Sequence, residues 1–400
     1  MMNRISSNMM YDQSVALMLS KQSKLNHLEQ QLSTGKKIVS AKDDPVGSGT
    51  AVGMDRVLAE LEKLGSNANT AQNRLGLQEN VLSQAGELLQ QVSDLTVQAN
   101  NPALSNEDRK GVANELKAIK DSLLALANTT DGSGRYLFGG AADANAPFTV
   151  SNGIVSYNGD QTQRQVEVAP GTFIKDALPG SEIFMRVRTG DGTVDGAAAS
   201  ANTGQAVLTD ISRDGSGSWD GSSYSLHFTA ADTYEVRDAR NAVIGTGTYA
   251  SGEDITFEGL RVRIEGTPAA GDTFNAGQAG TRDVFATIDQ LVQTLQMDTS
   301  TQAGRTAQQN ALQGSIRDVR RASELMIDAR AAGGAQLAAA DDAASLREAN
   351  TVTLKTSLSQ MRDLNYADAI GQYKLEGAAL QAAQTIFTQM QSMSLFNMIR

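Results

Sequence analysis

Residues 375–396 read LEGAALQAAQTIFTQMQSMSLF, and the spacing of their apolar positions decides how this chain of 400 residues is organised. The spacing alternates between four- and three-residue steps at Leu375, Ala379, Ala382, Ile386, Gln389, Met393 and Phe396. Such a pattern keeps one stripe on one side of a helix, as in a coiled-coil seam. A less regular stripe lies near the other end of the chain, at Val15, Met18, Gln22, Leu25, Leu28 and Leu32.

Neither terminal stripe offers enough apolar surface to fold by itself. The C-terminal stripe has about seven side chains, each worth at most ~1.5–3 kcal/mol when buried. Ordering each residue of this segment costs on the order of 1.5 kcal/mol. We therefore expect both termini to be disordered in the isolated chain, and to pack against each other and against neighbouring copies on assembly. The predicted assembly interface consists of Val15, Met18, Leu25, Leu28, Leu32, Leu375, Ala379, Ala382, Ile386, Met393 and Phe396.

Composition argues against several other classes of protein. The net charge of −11 makes nucleic acid or an anionic membrane surface an improbable partner. The chain has no Cys, which excludes disulfides and Cys-based metal sites. The first residues, MMNRISSN, have no apolar core and no small-residue cleavage site, so we expect no cleaved export signal.

Helical periodicity occupies both halves of the chain around a different central segment. A helical pattern over residues 61–128 is interrupted at Asn100-Asn101-Pro102 and restarts with Ser105 as the predicted N-cap. The same pattern returns after residue 280, for example at Val284, Ile288 and Leu291. The predicted fold class is α+β: a long antiparallel helical bundle built from both chain ends, with an inserted all-β domain in the middle.

The segment 131–280 is rich in glycine and alternates at the period of β-strands. Strand patterns occupy residues 165–168, 224–229 and 260–264, and turn pairs such as Asn152-Gly153 separate neighbouring strands. We expect residues 190–204, which are small and polar, to form an exposed loop.

The sequence contains no catalytic or metal-binding constellation. Its two histidines, His27 and His227, lie in a helical and a strand pattern respectively, and cannot form a zinc site without further ligands. Asp191 and Asp195 lack the spacing of a calcium loop. We therefore predict no cofactor, no metal and no enzymatic activity.

Two segments resemble a known family. Residues 31–47, QLSTGKKIVSAKDDPVG, resemble the N-terminal signature of the bacterial flagellin superfamily, and residues 364–396 resemble its C-terminal signature. Within the superfamily the chain is most similar to the hook-associated protein 3 family of hook–filament junction proteins. That likeness rests on DDPV at 43–46, RYLFGG at 135–140, PF at 147–148, YNGD at 157–160 and SLFN at 394–397.

The resemblance implies a structural adaptor of the bacterial flagellum that is exported, without signal cleavage, to the outside of the cell. It implies a ring of copies that contacts a first hook–filament junction protein and flagellin, and a dedicated export chaperone. It also implies three parts. Residues 1–45 and 366–400 would form an inner tube layer, residues 46–140 and 281–365 a helical wall, and residues 141–280 an outer β domain.

The family signature contains a turn at Gly35 and at Asp43, Asp44 and Pro45 that should separate the first helix from the wall. Lys36, Lys37 and Lys42 beside these acids are candidates for bridging to neighbouring subunits. Two alternatives remain open: the chain is flagellin itself, the subunit of the filament, or its β insert has an adhesive or recognition role.

Overall fold

The computed structural model describes residues 7–101, 103–215 and 219–398, and for residues 7, 8 and 391–398 it describes the backbone alone. The helices are α1 (Ser7–Thr34), α2 (Pro45–Ala99), α3 (Asn106–Ala127), α4 (Val284–Leu295), α5 (Gln302–Arg362) and α6 (Tyr366–Met398). A short π-helical turn occupies Ser181–Met185. None of the helices, over the residues described, is both long and apolar enough to cross a membrane.

The strands all lie between α3 and α4. They are β1 (Phe148–Ser151), β2 (Ile154–Tyr157), β3 (Gln165–Ala169), β4 (Thr172–Lys175), β5 (Val187–Arg188), β6 (Val194–Ala198), β7 (Val207–Arg213), β8 (Tyr224–Ala230), β9 (Thr233–Asp238), β10 (Val243–Thr248), β11 (Asp254–Phe257), β12 (Leu260–Glu265), β13 (Thr273–Gln278) and β14 (Thr281–Arg282). The predicted fold class, with helices from both chain ends and a β region between them, is confirmed.

The strands pair antiparallel throughout the described sheets. The largest sheet has the order β10-β9-β8-β13-β6, a second has the order β11-β12-β7, and three smaller sheets are two-stranded. The predicted turn at Asn152-Gly153 joins β1 to β2, and both residues have positive φ, as the tight hairpin turn requires.

The chain forms two compact units. The first contains Met1–Ser66 and Ala343–Arg400, and the second contains Asn67–Asp342. Helices α2 and α5 therefore contribute residues to both units. The three-part division expected from the family resemblance remains a prediction.

The second unit contains a helical core and a β core. In the helical core, the buried faces of α2, α3, α4 and α5 meet a group of phenylalanines from the neighbouring loops and strands. Phe148 and Phe184 lie at the centre of this group, with ring centroids 5.5 Å apart in an edge-to-face arrangement. The β core is built from inward-facing side chains of the two larger sheets, including Leu226, Phe228 and Phe274.

A buried ion network fixes α2 to the loop after α3 and to the β4 region. Arg74 donates to Asp131 at 2.5 Å and to Asp176 at 3.2 Å, and it is almost fully buried. Burial alone would raise the pKa of Asp131, but hydrogen bonds from Ser133, Arg135 and Arg74 outweigh that effect and hold the pKa at about 2. Asp131 is therefore charged at neutral pH.

The start of α3 follows from its sequence. The Ser105 side chain accepts a hydrogen bond from the backbone N–H of Asp108, and the Asp108 side chain accepts one from the backbone N–H of Ser105. This reciprocal capping box satisfies two donors that the helix itself leaves unpaired. The predicted N-cap is confirmed. The helix before it ends at Ala99, and Pro102 lies outside the described residues.

The expectation of an exposed loop over residues 190–204 is wrong for residues 194–198, whereas residues 199–204 lie outside the strands. Residues 194–198 form the edge strand β6, with Val194 fully buried, and this strand pairs with β13. A side chain at Gly196 would lie 2.7 Å from Ile211 and 2.8 Å from the carbonyl oxygen of Asn275. The small residues here permit close packing, which in sequence looks the same as a flexible loop.

Candidate assembly surface

The first unit is organised by the turn that follows α1. Gly35 has φ = +69°, and its N–H donates to the carbonyl oxygen of Gln31 at 2.9 Å, so this glycine closes the helix in the left-handed conformation. A side chain at this position would also lie 2.8 Å from the hydroxyl oxygen of Tyr366. Only glycine fits both the backbone angle and the space.

The acidic pair in the signature folds the turn and starts the next helix. Asp43 accepts from the backbone N–H groups of Ser40 at 2.8 Å and Val39 at 3.1 Å. These hydrogen bonds, chiefly the one from Ser40, lower the pKa of Asp43. Asp44 accepts from the backbone of Gly47 at 2.8 Å and acts as the N-cap of α2, which begins at Pro45.

Backbone hydrogen bonds join the same turn to the connection between α5 and α6. The N–H of Lys37 donates to the carbonyl oxygen of Arg362 at 2.7 Å, and the N–H of Leu364 donates to that of Gly35 at 2.9 Å. Lys36 and Asp363 form an isolated antiparallel β-bridge. These backbone contacts hold the end of α1 beside the start of α6, and so set the register in which the two helices pair.

Helices α1 and α6 run antiparallel from that bridge. At the far end of the pair, the rings of Tyr11 and Phe387 lie 5.2 Å apart. Midway along it, Lys21 and Lys24 each donate to one carboxylate oxygen of Glu376, both at 2.6 Å. We call this arrangement the Glu376 fork. Two ammonium groups one helical turn apart therefore form ion pairs with a single carboxylate on the opposite helix.

The Glu376 carboxylate is shielded from solvent, whereas the side chains of Lys21 and Lys24 are 31% and 59% exposed. The Glu376 side chain is only 9% exposed, and its hydrogen bonds from Lys21 and Lys24 lower its pKa below the ordinary value of 4.5. The contribution of this carboxylate to pairing is therefore complete above pH 4.5 and is lost as the pH falls through the lowered value. The sequence analysis missed the fork, although a Lys pair spaced three residues apart on one helix was a signal for it.

The residues of the predicted N-terminal stripe lie on the more buried face of α1. Val15, Met18, Leu25 and Leu32 are half-buried, and Leu28 is buried. These five residues thus share one face of α1, as their spacing indicates. Their role in assembly remains a prediction.

The predicted C-terminal stripe lies elsewhere. Leu375 is 70% exposed and Ile386 is 58% exposed, Ala382 is exposed, and Ala379 is half-buried. The side chains of Met393 and Phe396 lie outside the described residues. We call Leu375, Ala379, Ala382 and Ile386 the outer stripe.

The face of α6 that turns inward is displaced from the outer stripe by one residue. It contains Glu376, Leu380, Ala383 and Phe387, all buried or half-buried. One residue rotates a helix by about 100°. The prediction that the outer stripe packs against α1 is therefore corrected. Glu376 can lie on this inward face because Lys21 and Lys24 neutralise its charge.

In the first unit, exposed large apolar side chains outnumber fully buried ones. Within its described residues only four large apolar side chains are buried: Leu28, Leu61, Leu64 and Leu358. Seventeen large apolar or aromatic side chains of the same unit are exposed, among them Met9, Leu19, Val46, Leu375 and Ile386. Such a surface on a folded chain marks a site of protein association.

The histidines have local structural partners. His27 lies with its Nε2 3.7 Å from Asp43, and Nδ1 of His227 lies 3.1 Å from the hydroxyl of Thr273. Within the part of the chain that the structure describes, no three His, Asp or Glu side chains are grouped so that they could hold a metal ion.

Comparison with known proteins identifies what this arrangement is similar to. The family described as the bacterial flagellin N-terminal helical region matches residues 5–143. Flagellar hook-associated protein 3 of Salmonella typhimurium is 27% identical over 397 residues, which cover 99% of this chain and 100% of that protein. The crystal structure of Xanthomonas campestris FlgL has 60% sequence identity and a TM-score of 0.72, and the match covers 76% of this chain and 99% of that one.

A flagellin matches a smaller part. Polar flagellin F of Vibrio parahaemolyticus is 32% identical over 117 residues, which cover 29% of this chain and 31% of that protein. The similarity to hook-associated proteins thus extends along the chain, whereas the similarity to this flagellin is partial.

The turn at Gly35 can be tested by cross-linking. Because the chain has no Cys, Tyr11→Cys with Phe387→Cys gives a pair of thiols that a short bifunctional reagent joins when α1 and α6 pair, even transiently. Adding Gly35→Ala should lower the yield several-fold, because the left-handed conformation costs an alanine roughly 1–2 kcal/mol. Gly49→Ala is the control. The φ angle of Gly49 is not positive and the space around it is open, so an alanine fits there and favours the helix. Equal yields for both variants would contradict the account.

The Glu376 fork can be tested in the same cysteine background. Glu376→Gln should reduce cross-linking between positions 11 and 387 at pH 7, because the amide cannot pair with two ammonium groups. Each yield is divided by the labelling rate of the corresponding single-cysteine variants at the same pH, which corrects for protonation of the thiols. The corrected yield should fall in the unchanged background as the pH drops below 4.5, and much less in Glu376→Gln. Glu348→Gln, an exposed change in the same unit, should behave as the background does. A pH response that is the same with and without Glu376 would exclude the fork as its cause.

Proposed function

This chain belongs to the family of flagellar hook-associated protein 3, or FlgL, and we propose on that premise that it is the structural adaptor joining the hook to the filament of a bacterial flagellum. Its place is the flagellum outside the cell. The observation that carries this proposal is the first unit, in which seventeen large apolar or aromatic side chains are exposed although a specific turn and an ion fork set the register of its helices.

The mechanism is helix pairing that is completed between subunits. The backbone bridge at residues 35–37 and 362–364 and the Glu376 fork set the register of α1 against α6. With that register fixed, the outer stripe faces away from α1, where adjacent copies cover it. Because the pair buries so little by itself, α1 and α6 become stably ordered only on assembly.

The remaining parts have supporting roles. Residues 1–45 and 366–400 form the inner tube layer of a ring of copies, residues 46–140 and 281–365 its helical wall, and residues 141–280 its outer β domain. The assembly surface is incomplete without partners, and those partners are other copies, a first hook–filament junction protein and flagellin.

Two further features accord with this role. An apolar stripe that stays open until assembly needs protection beforehand, which an export chaperone bound to the C-terminal helix would provide. The chain's net charge of −11 disfavours nucleic acid and anionic membranes as partners. The protein acts by binding alone, with no catalysis and no cofactor.

Ile386→Asp tests the proposal. In cells that lack the gene, the unchanged chain should restore filaments, whereas cells making Ile386→Asp should have hooks without filaments and should shed flagellin into the medium. A carboxylate on the outer stripe cannot be desolvated cheaply between subunits, yet this exposed position tolerates it in the isolated chain. Electron microscopy and an assay of flagellin in the medium provide the measurement.

The matched control is Gln384→Asp, which adds the same charge at an exposed position on another face of α6. It should restore filaments. Normal filaments with Ile386→Asp would remove the outer stripe from the mechanism, and normal filaments without the gene would reject the adaptor role itself.

A further inference from the structure

In the described part of the chain, the β core has one sheet edge that is neither covered nor charged. Strand β10 is the outermost strand of the largest sheet and pairs with β9 alone. The N–H of Tyr249, just past the end of β10, donates to the carbonyl oxygen of Asp232 opposite. Because backbone groups alternate in direction along an antiparallel strand, Thr246 and Thr248 direct their N–H and C=O groups away from β9. Among the described residues these outward groups have no hydrogen-bond partner.

The other edges of the two larger sheets are protected. At the opposite edge of the same sheet, Nη2 of Arg317 donates to the carbonyl oxygen of Gly196 in β6 at 2.9 Å. In the second sheet, Asn310 covers β7, because its Oδ1 accepts from the N–H of Leu208 at 2.9 Å. The remaining edge strand, β11, is four residues long and carries Asp254. Short edge strands, charges and covering elements are the usual means by which proteins prevent strands of other chains from adding to a sheet.

Strand β10 has few of these protections. It runs for six residues, VIGTGT, without a charge or a proline. A bulge lies in its first half, between Val243 and Gly245, and the pairing with β9 is regular from Gly245 to Thr248. The side chains of Val243 and Ile244 are exposed. This edge therefore offers unpaired backbone groups beside exposed apolar side chains, which is the arrangement to which an added strand binds.

The charges that flank β10 indicate that the added strand comes from a second copy of this chain. The segment before it, residues 237–241, contains two arginines and one aspartate, and the segment after it, residues 249–254, contains two acids and no base. Arg240 and Glu253 are exposed, and neither side chain has a partner among the described residues. When two copies of one strand pair antiparallel, the beginning of each lies beside the end of the other. The cationic end of each copy then meets the anionic end of its partner, twice in one contact.

We propose that the β10 strands of two copies pair antiparallel, centred on Thr246, so that two five-stranded sheets continue as one. Thr246 then lies opposite Thr246 of the second copy, and Ile244 lies opposite Thr248. In this register the outward backbone groups of both strands meet each other. Main-chain hydrogen bonds supply the affinity of such strand addition, and the side chains beside them supply its register. The inference does not rest on the proposed function, because β10 lies in the second unit.

A single cysteine at the centre of the contact tests the pairing. Thr246→Cys, in a chain with no other Cys, should form a disulfide between copies under mild oxidation, because the Cα atoms of a hydrogen-bonded residue pair lie about 5.5 Å apart. Thr256→Cys is the matched control, since Thr256 is an exposed threonine on β11. Any association through the terminal helices is common to both variants.

The yield of covalent dimer is read on a non-reducing gel. It should be several-fold higher for Thr246→Cys than for Thr256→Cys. Equal yields would mean that the thiols meet only by random collision, and would overturn the proposal.

Charge reversal tests whether the occupant is a second copy. In sedimentation equilibrium of the full chain, Arg240→Glu and Glu253→Arg should each weaken self-association several-fold, because each brings like charges together twice in the contact. The double variant should restore the association, since it exchanges the signs at two ends that meet between copies. Circular dichroism checks that these exposed changes leave the fold intact. Unchanged association in both single variants, or a double variant as weak as the single ones, would overturn the proposal.

Discussion

Two backbone hydrogen bonds join the turn after α1, at residues 35–37, to the connection before α6, at residues 362–364. The rest of the first unit depends on them. They fix where α1 stops and where α6 starts. From that point the antiparallel register brings Lys21 and Lys24 to Glu376, and Tyr11 to Phe387. Glycine at position 35 is required because the bridge begins in a left-handed conformation against Tyr366.

A pair of helices joined by a charged fork as well as by half-buried apolar side chains differs from an ordinary coiled coil. The fork specifies register without burying much apolar surface, and it leaves the outer stripe of α6 uncovered. The free energy that such a pair lacks can come from neighbouring subunits, so that folding of the ends and assembly are coupled. The second unit, with its helical and β cores, has no such deficit and carries the bulk of the buried apolar surface.

Periodicity and turn chemistry predicted most of the fold, because those signals are local. The Ser105 cap, the Asn152-Gly153 hairpin and the half-buried face of α1 all follow from short stretches of sequence. Two features do not follow from such stretches. Strand β6 contains small residues that permit close packing, and Glu376 is buried because two lysines on another helix neutralise it. Each depends on a tertiary contact that no local pattern records.

The central claim is that assembly covers the outer stripe, and thiol labelling of Ile386→Cys measures this directly in a chain with no other Cys. A maleimide should label this position rapidly in the isolated chain and very slowly in intact flagella. Ala239→Cys, exposed in the β region, normalises for access of the reagent. Equal protection of the two positions in flagella, or a position 386 that is already protected in the isolated chain, would contradict the account.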